Sequence, residues 1–133
     1  MTVTEVRNII MSRYLTEYTG QFTIAIDNQI ANAPDDEEWV RLTVNFNDGF
    51  QDSLGTAGNR KYLKSGMIFI QVFFPMNKGT DNSDTLAEDS ANLFDGFRIQ
   101  DLWMFNGRVK TIGSDGEFYQ QNAVIDFEYE NVR

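Results

Sequence analysis

The sequence contains no cysteine and no histidine, and only 2 of its 133 residues are proline. Without cysteine there is no disulfide, no thiolate zinc site and no thiol nucleophile. Without histidine the chain lacks the commonest general base and the commonest metal ligand in proteins. Most hydrolase mechanisms are therefore excluded before any motif is considered.

Positive charge and long apolar runs are also scarce. The 11 Lys and Arg residues stand against 20 Asp and Glu residues, which gives a formal net charge of -9. This excess repels phosphate backbones and anionic lipids, and it disfavours nucleic-acid binding through counterion release. The longest strongly apolar stretch, residues 67–76, is about half of the roughly 20 residues that a membrane-spanning helix needs. The opening residues lack the features of a signal peptide, and we expect a cytoplasmic protein.

Aromatic residues, in contrast, are plentiful and make up 14% of the chain. That is too much packing material for a disordered acidic tail. A length of 133 residues fits one compact domain that buries roughly two-thirds of its unfolded surface. We therefore expect a single domain over residues 1–133.

Hydrophobic periodicity predicts the element order α-β-β-β-α-β-β-β. Apolar residues at three- and four-residue spacing predict helices over residues 2–18 and 80–95, with a capping box formed by Thr2 and Glu5. Alternating or continuous apolar runs predict strands over residues 22–26, 39–47, 62–74, 98–105, 108–112 and 118–129. This order predicts an α+β fold with a single mostly antiparallel sheet and two helices packed on one face.

Three segments add detail to this pattern. The Asn106-Gly107 pair predicts a two-residue turn that joins the strands on either side of it into a hairpin. The strand over residues 62–74 is apolar on both faces, so we expect both to be covered, by helices or by another subunit. Residues 47–59 form a long polar loop without predicted structure, and such loops are usually functional or mobile.

Acidic clusters are the remaining candidates for catalysis or metal binding. The run over residues 35–38 is contiguous, so its side chains diverge, which favours a solvated loop. Neither Asp48-Gly49 nor Asp115-Gly116 has EF-hand spacing. The glycine-containing segment 55–58 lacks the lysine and the following helix of a phosphate-binding loop. The sequence predicts no catalytic, cofactor-binding or metal-binding residue.

Asp126, Glu128 and Glu130 form a row on one side of the last predicted strand. A solvent-facing strand side is the simpler interpretation of this row. The alternative is a negative surface that faces a pore or a basic partner. Trp39 and Trp103 are likewise either half-buried strand aromatics or interface anchors.

A strand that ends at Phe74-Pro75 is followed by a turn at Gly79 and by a helix that closes on Leu93-Phe94. Further landmarks flank this core, namely Val6, Arg7, Ile10, the segment 39–44, Gly66, Ile68, Ile70, Val72, Leu86, Ala87, Gly116, Phe118, Tyr119, Val124 and Phe127. Their order resembles the tail terminator (tail-completion, minor tail) proteins of bacteriophages with long, non-contractile tails.

The resemblance implies a structural protein of the virion tail, assembled in the host cytoplasm, and neither an enzyme nor a cofactor-dependent protein. It implies a homohexameric ring that caps the tail tube, ends tube growth and presents the surface for head joining. The implied partners are other copies of the chain, the tail tube protein and the head-tail connector protein. DNA would pass through the lumen without specific binding, and no membrane is involved.

Two groups of candidate site residues follow from this resemblance. The subunit or tube interface comprises Phe50, Gln51, Leu54, Arg60, Lys61 and Trp39. The candidate pore-facing acids are Asp126, Glu128 and Glu130. Two alternative functions stay open: a head-tail connector or neck protein of the same virion, and a cytoplasmic acidic binding module that mimics DNA.

Overall fold

The computed structural model describes residues 1–27, 37–47, 50–51, 55, 57–76, 81–115 and 118–132. Within these residues the chain forms two helices and seven strands. In chain order they are α1 (Val3–Tyr18), β1 (Thr23–Ile26), β2 (Trp39–Phe46), β3 (Phe50–Gln51), β4 (Lys61–Pro75), α2 (Asp81–Phe94), β5 (Arg98–Ile99), β6 (Leu102–Asp115) and β7 (Phe118–Val132). One half of the predicted capping box is present, because the Thr2 hydroxyl accepts from the Glu5 amide at 3.2 Å. The Glu5 carboxylate reaches back to the Thr2 hydroxyl, also at 3.2 Å.

All seven strands belong to one sheet. Six follow one another in the order β1-β2-β4-β7-β6-β5, and β3 pairs with β4 outside this path. β1 runs parallel to β2, and the other pairs are antiparallel, so the sheet is mixed. The predicted α+β class is confirmed, whereas the number and the bounds of the strands differ from the prediction.

The predicted hairpin at Asn106-Gly107 is wrong. β6 continues through this pair as a bulge, where its pairing with β7 shifts between Phe105 and Arg108. Asn106 has a φ of 57°, and the Gly107 amide donates to the Asp95 carboxylate at 3.0 Å. Asparagine tolerates positive φ, which occurs both in β-bulges and in the primed turns of hairpins. The Asn-Gly pair alone therefore does not distinguish a bulge from a turn.

The prediction missed β3, and it merged β5 and the start of β6 into one strand over residues 98–105. β5 pairs with the start of β6, and the chain reverses at residues 100–101, where Gln100 has a φ of 52°. β3 pairs with β4 in a segment that was expected to be a loop without structure, with Phe50 opposite Leu63. Both strands have only two residues, which is too short for a periodic signal.

The hydrophobic core lies between one face of the sheet and both helices. Alternate residues of the three central strands are buried there, namely Val40, Leu42, Val44, Ile68, Ile70, Val72, Ala123, Ile125 and Phe127. The helices contribute Val6, Ile10 and Tyr14 from α1 and Ala87, Ala91 and Phe94 from α2. Both helices therefore pack on the same face of the sheet.

The opposite face, which we call the open face, has no helix against it among the described residues. It is formed by the other alternate residues, which include Trp39, Arg41, Met67, Phe69, Phe73, Trp103, Phe105, Val124, Asp126 and Glu128. Phe69, Phe73 and Phe105 are only half-buried. The prediction that both faces of the long central strand would be covered is met by the helices on one face only.

Tyr14 joins the two helices inside the core. It is fully buried, its ring stacks on Phe94 at a centroid distance of 6.3 Å, and its hydroxyl lies 3.1 Å from the Ser90 hydroxyl. Burial raises the pKa of Tyr14, because an ionised phenolate would lose its hydration there. The interhelical hydrogen bond therefore persists well into alkaline pH.

We expect Tyr14→Phe to lower the free energy of unfolding by about 1 kcal/mol at pH 7, through loss of the bond to Ser90. Above about pH 10 the unfolded chain releases the Tyr14 proton while the folded chain keeps it, so wild-type stability falls as pH rises. The Tyr14→Phe variant has no proton to release at this position. The difference in free energy of unfolding between the two proteins therefore becomes smaller as the pH rises. Urea denaturation of both proteins from pH 7 to 11 measures this pH dependence. A difference in unfolding free energy that stays constant over this range would contradict the prediction.

Candidate functional site

Four of the candidate interface residues lie together at one end of the sheet. Phe50 and Gln51 form β3, paired with the beginning of β4, and Arg60 and Lys61 lead into β4. The Arg60 guanidinium donates from Nε to the Gly55 carbonyl oxygen at 2.9 Å, which closes the turn before β4. We call this end, formed by the backbone of residues 50–51 and by Arg60 and Lys61, the β3–β4 lip. Leu54 lies outside the described residues.

Trp39 lies far from the lip. It opens β2 and pairs with Phe73, which is twelve residues from Lys61 along β4, or about 40 Å of extended strand. Its ring stacks on Phe73 at a centroid distance of 4.1 Å, and it is 8% exposed. The sequence grouped Trp39 with residues that the structure places at the opposite end of the sheet.

The predicted acidic row lies on the open face, but its charges are partly compensated. Asp126 lies 3.3 Å from the Arg108 guanidinium and accepts from the Asn106 amide at 2.9 Å. Both ionic side chains are about a quarter exposed, so the pair is shielded from solvent on most sides. The row is therefore not a uniform strip of free negative charge.

Glu128 and Glu130 line a cleft of about 260 Å³ at the end of the sheet that carries the lip. Its other lining residues are Leu63, Arg98, Gln100, Asp101, Trp103 and Tyr129. Trp103 is 41% exposed, and the Arg98 guanidinium lies 5.4 Å from its ring centroid. Three carboxylates against one guanidinium leave this cleft with a negative balance, which suits a basic side chain.

A second, more apolar groove of about 500 Å³ runs beside α1. Ile9, Leu93, Phe97 and Ile99 supply its apolar walls. Arg13 spans it, with its guanidinium 3.5 Å from the Phe97 ring centroid and its Nε donating to the Leu93 carbonyl oxygen at 2.8 Å. These contacts fix the first helix to the end of the second.

The sequence predicted a strand over residues 108–112, but it did not identify the apolar residues of that strand as exposed. Val109 and Ile112 are among the most exposed large apolar residues of the described chain, at 39% and 54%. Periodicity along the chain does not reveal this exposure, because it depends on which strands pair with β6.

Among the described residues, no group of three or more acidic side chains is arranged to hold a metal ion. The pKa values of Tyr14, Tyr18 and Tyr129 are raised, and in each case the main cause is burial. Neither described helix is long and apolar enough to span a bilayer.

A model of the phage tail terminator protein family matches residues 5–122, from the first turn of α1 into β7. The chain belongs to the phage tail terminator family. It is therefore a structural bacteriophage tail protein of a family that contacts other tail and head components, and its place is the virion tail. The predicted family is confirmed.

A solved structure with 14% sequence identity has the same fold, with a TM-score of 0.71 over 100% of this chain and 99% of that one. At this identity the likeness concerns the fold alone. No curated protein matches the sequence.

Proposed function

We propose that the chain forms a homohexameric ring on the end of the tail tube, stops addition of further tube subunits and presents the surface to which the head is joined. The observation that carries this proposal is the family match over residues 5–122. In this proposal the whole chain is one domain with a structural role and no catalytic activity.

The architecture suits a ring. A single sheet with both helices on one face has an open face that can turn towards the axis, while the helices lie outside. Ring contacts are heterologous and close by rotation, so each subunit needs two different lateral surfaces. The two margins of one sheet are such surfaces.

The ends of the strands then face along the axis. We assign the β3–β4 lip, together with Leu54, to contact with the tube or with a neighbouring subunit. Lys61 is exposed at this end, and Arg60 is held by its bond to Gly55. Trp39 lies at the other end of the open face. If the lip contacts the tube, Trp39 is on the side of the ring to which the head is joined.

Glu128 and Glu130 are assigned to the pore wall, with Asp126 as a paired member of the same row. Their negative charge would let DNA pass without binding. The cleft that they line retains a negative balance even with Arg98 present. Assembly onto the tube would take place in the host bacterial cytoplasm, with the tube protein and the head-tail connector as partners.

Deletion of this gene from the parent phage is expected to produce over-long, irregular tubes beside full, unjoined heads. Electron microscopy of lysates, with tail lengths counted, measures the effect, and plasmid-borne wild-type protein is the control that restores normal tails. Tails of normal length that fail to join heads would instead indicate a neck connector. Wild-type particles would contradict any tail function and would return the acidic binding module to consideration.

Complementation of the deleted phage with plasmid-borne variants distinguishes a role of the acidic row in the pore from the capping function. Glu128→Lys with Glu130→Lys should restore tail length, because capping does not use these side chains, but should hinder DNA ejection. Normal DNA ejection by the resulting particles would contradict the assignment of the acidic row to the pore wall.

A further inference from the structure

One row of polar side chains crosses the open face at a single height. The strand register aligns Arg41 of β2 with Gln71 of β4, and then with Asn122 of β7 and Lys110 of β6. Residues that lie opposite each other on neighbouring strands share a face, so the four side chains form one line. The two cations at its ends are exposed, and the two amides between them are half-buried. We call these four residues the donor row, which spans three strand spacings, or about 14 Å.

The cations of the donor row are not neutralised by a neighbouring carboxylate. The Arg41 guanidinium lies 5.3 Å from the Trp39 ring centroid, a contact that positions the charge without compensating it. Arg41 and Lys110 make no ion pair with the described residues, which include both glutamates directly before β2. Asn122 Oδ1 accepts from Gln120 Nε2 at 2.9 Å, so the amide nitrogen of Asn122 is left to donate elsewhere. The row thus offers positive charge and amide N–H groups to an anion.

The carboxylates of β7 on the open face lie towards the lip, away from the donor row. Asp126 is four residues beyond Asn122 along β7, or about 13 Å, which exceeds the Debye length of about 8 Å at physiological ionic strength. Asp126 is also paired with Arg108, and Glu128 and Glu130 lie still farther along the strand. These acids therefore do not cancel the positive charge of the row.

We propose that the donor row binds the phosphate backbone of double-stranded DNA, and that the rows of the six subunits form a belt of donors around the DNA in the ring. The inference rests on the proposed ring, in which the open face turns towards the axis and the strand ends face along it. The donor row runs across the strands, so in this arrangement it runs around the axis. Every subunit then contributes the same two cations at one height.

DNA is the occupant whose chemistry fits these four side chains. Protein contacts to phosphate oxygens come from Arg and Lys and from the amide groups of Asn and Gln, which are the residue types of the row. Such contacts carry no sequence information, which suits a ring through which DNA of any sequence must pass. An acidic segment of another virion protein is the competing occupant. It would have to enter the ring to reach the row, whereas DNA lies in the lumen in the proposed function.

The net charge of -9 limits the strength of this contact. The belt is positive only locally, because most of each subunit repels phosphate. Phosphate contacts of this electrostatic kind let a protein slide along DNA, so the belt would hold the duplex on the axis without stopping its passage. If the lip contacts the tube, DNA that arrives from the head meets the belt before it meets Glu128 and Glu130.

Isolated tails provide the test, because their head-joining end exposes the proposed ring. Tails are purified from a head-defective strain of the parent phage that lacks this gene and carries it on a plasmid, and short end-labelled duplex DNA is added. Wild-type tails are expected to retain the duplex at about 50 mM salt and to release it by about 200 mM. Lys110→Gln and Arg41→Gln are each expected to weaken binding by about tenfold. Tails from the strain without the plasmid give the background.

Two further variants separate the donor row from the overall charge of the protein. Lys64 lies opposite Tyr129, on the face that carries the helices. Lys64→Gln therefore removes the same charge as Lys110→Gln from the other face of the sheet, and it should leave DNA binding unchanged. Arg41→Lys keeps the positive charge and should retain most of the binding. Electron microscopy is expected to show tails of normal length for all four variants, because capping does not use these side chains.

Three results would overturn the proposal while leaving the capping function intact. The first is equal DNA binding by Lys110→Gln and Lys64→Gln tails. The second is wild-type tails that carry a ring but bind no more DNA than tails without the protein. The third is normal DNA binding with loss of head joining in Lys110→Gln, because the row would then contact an acidic protein of the head-tail junction. Absence of a ring from the ends of tails made with wild-type protein would instead count against the proposed function itself.

Discussion

Gly66→Ala is expected to lower the free energy of unfolding by about 3 kcal/mol. Gly66 lies in the middle of β4, between Phe46 of β2 and Phe127 of β7. A Cβ at this position would overlap the backbone carbonyl oxygen of Asn45 and the ring of Phe127. The carbonyl belongs to a strand held by its ladder to β4, so it cannot move aside without breaking that pairing.

The ring that occupies this space is central to the core. Phe127 is fully buried and packs edge-on against Phe46 at a centroid distance of 5.5 Å. Glycine is therefore required at position 66 for space, since its Cβ-free backbone lets an aromatic ring and a neighbouring strand approach together.

Urea denaturation of purified protein measures the Gly66→Ala effect, with Gly20→Ala as the matched control. Gly20 has a φ of 89° and nothing within 4 Å of a built Cβ, so alanine there meets only backbone strain, at about 1 kcal/mol. Phe127→Leu should rescue Gly66→Ala only partly, because the overlap with the Asn45 carbonyl persists. A loss at Gly66 no larger than that at Gly20 would contradict the steric argument.

Asp27→Ala is expected to cost about 2 kcal/mol of unfolding free energy. The Asp27 carboxylate oxygen Oδ2 accepts from the Val44 amide at 2.9 Å and from the Arg7 guanidinium at 3.0 Å. β1 ends at Ile26, opposite Leu42, so the Asp27 side chain continues the pairing of β2 beyond the last residue of β1. One side chain thus ties α1 to the edge of the sheet.

Two further variants separate the contributions at Asp27. Asp27→Asn keeps an oxygen for the Val44 amide and should lose about half as much stability as Asp27→Ala. Arg7→Ala removes only the ion pair, whose side chains are 34% and 24% exposed, and should cost less than 1 kcal/mol. If Arg7→Ala cost as much as Asp27→Ala, the ion pair and not the backbone bond would be the main contribution.

Local patterns in the sequence predicted much of this fold correctly. The spacing of Val6, Ile10 and Tyr14 marks the buried side of α1, and the alternation of Ile68, Ile70 and Val72 marks the core face of β4. These signals are reliable because helices and strands repeat with fixed periods, and burial on one side imposes that period on the residues.

The candidate sites were less accessible to such reasoning. The sequence suggested one interface, but Trp39 of β2 pairs with Phe73 near the end of β4, whereas Lys61 is the first residue of β4. The acidic row was found on one face as predicted, yet the Arg108 that pairs with Asp126 comes from the neighbouring strand β6. Cross-strand partners depend on register, which periodicity along one strand does not contain.

By itself, the sequence determined the α+β class, the two amphipathic helices, the buried side of the central strands and the resemblance to a tail terminator. The tertiary structure alone decided that Asn106-Gly107 is a bulge, that β1 runs parallel to β2, and that Arg108 of β6 pairs with Asp126 of β7. The physical reason is range. Periodicity and turn chemistry act over a few residues, whereas strand pairing, free edges and the approach of Phe127 to Gly66 join residues that are distant in the chain.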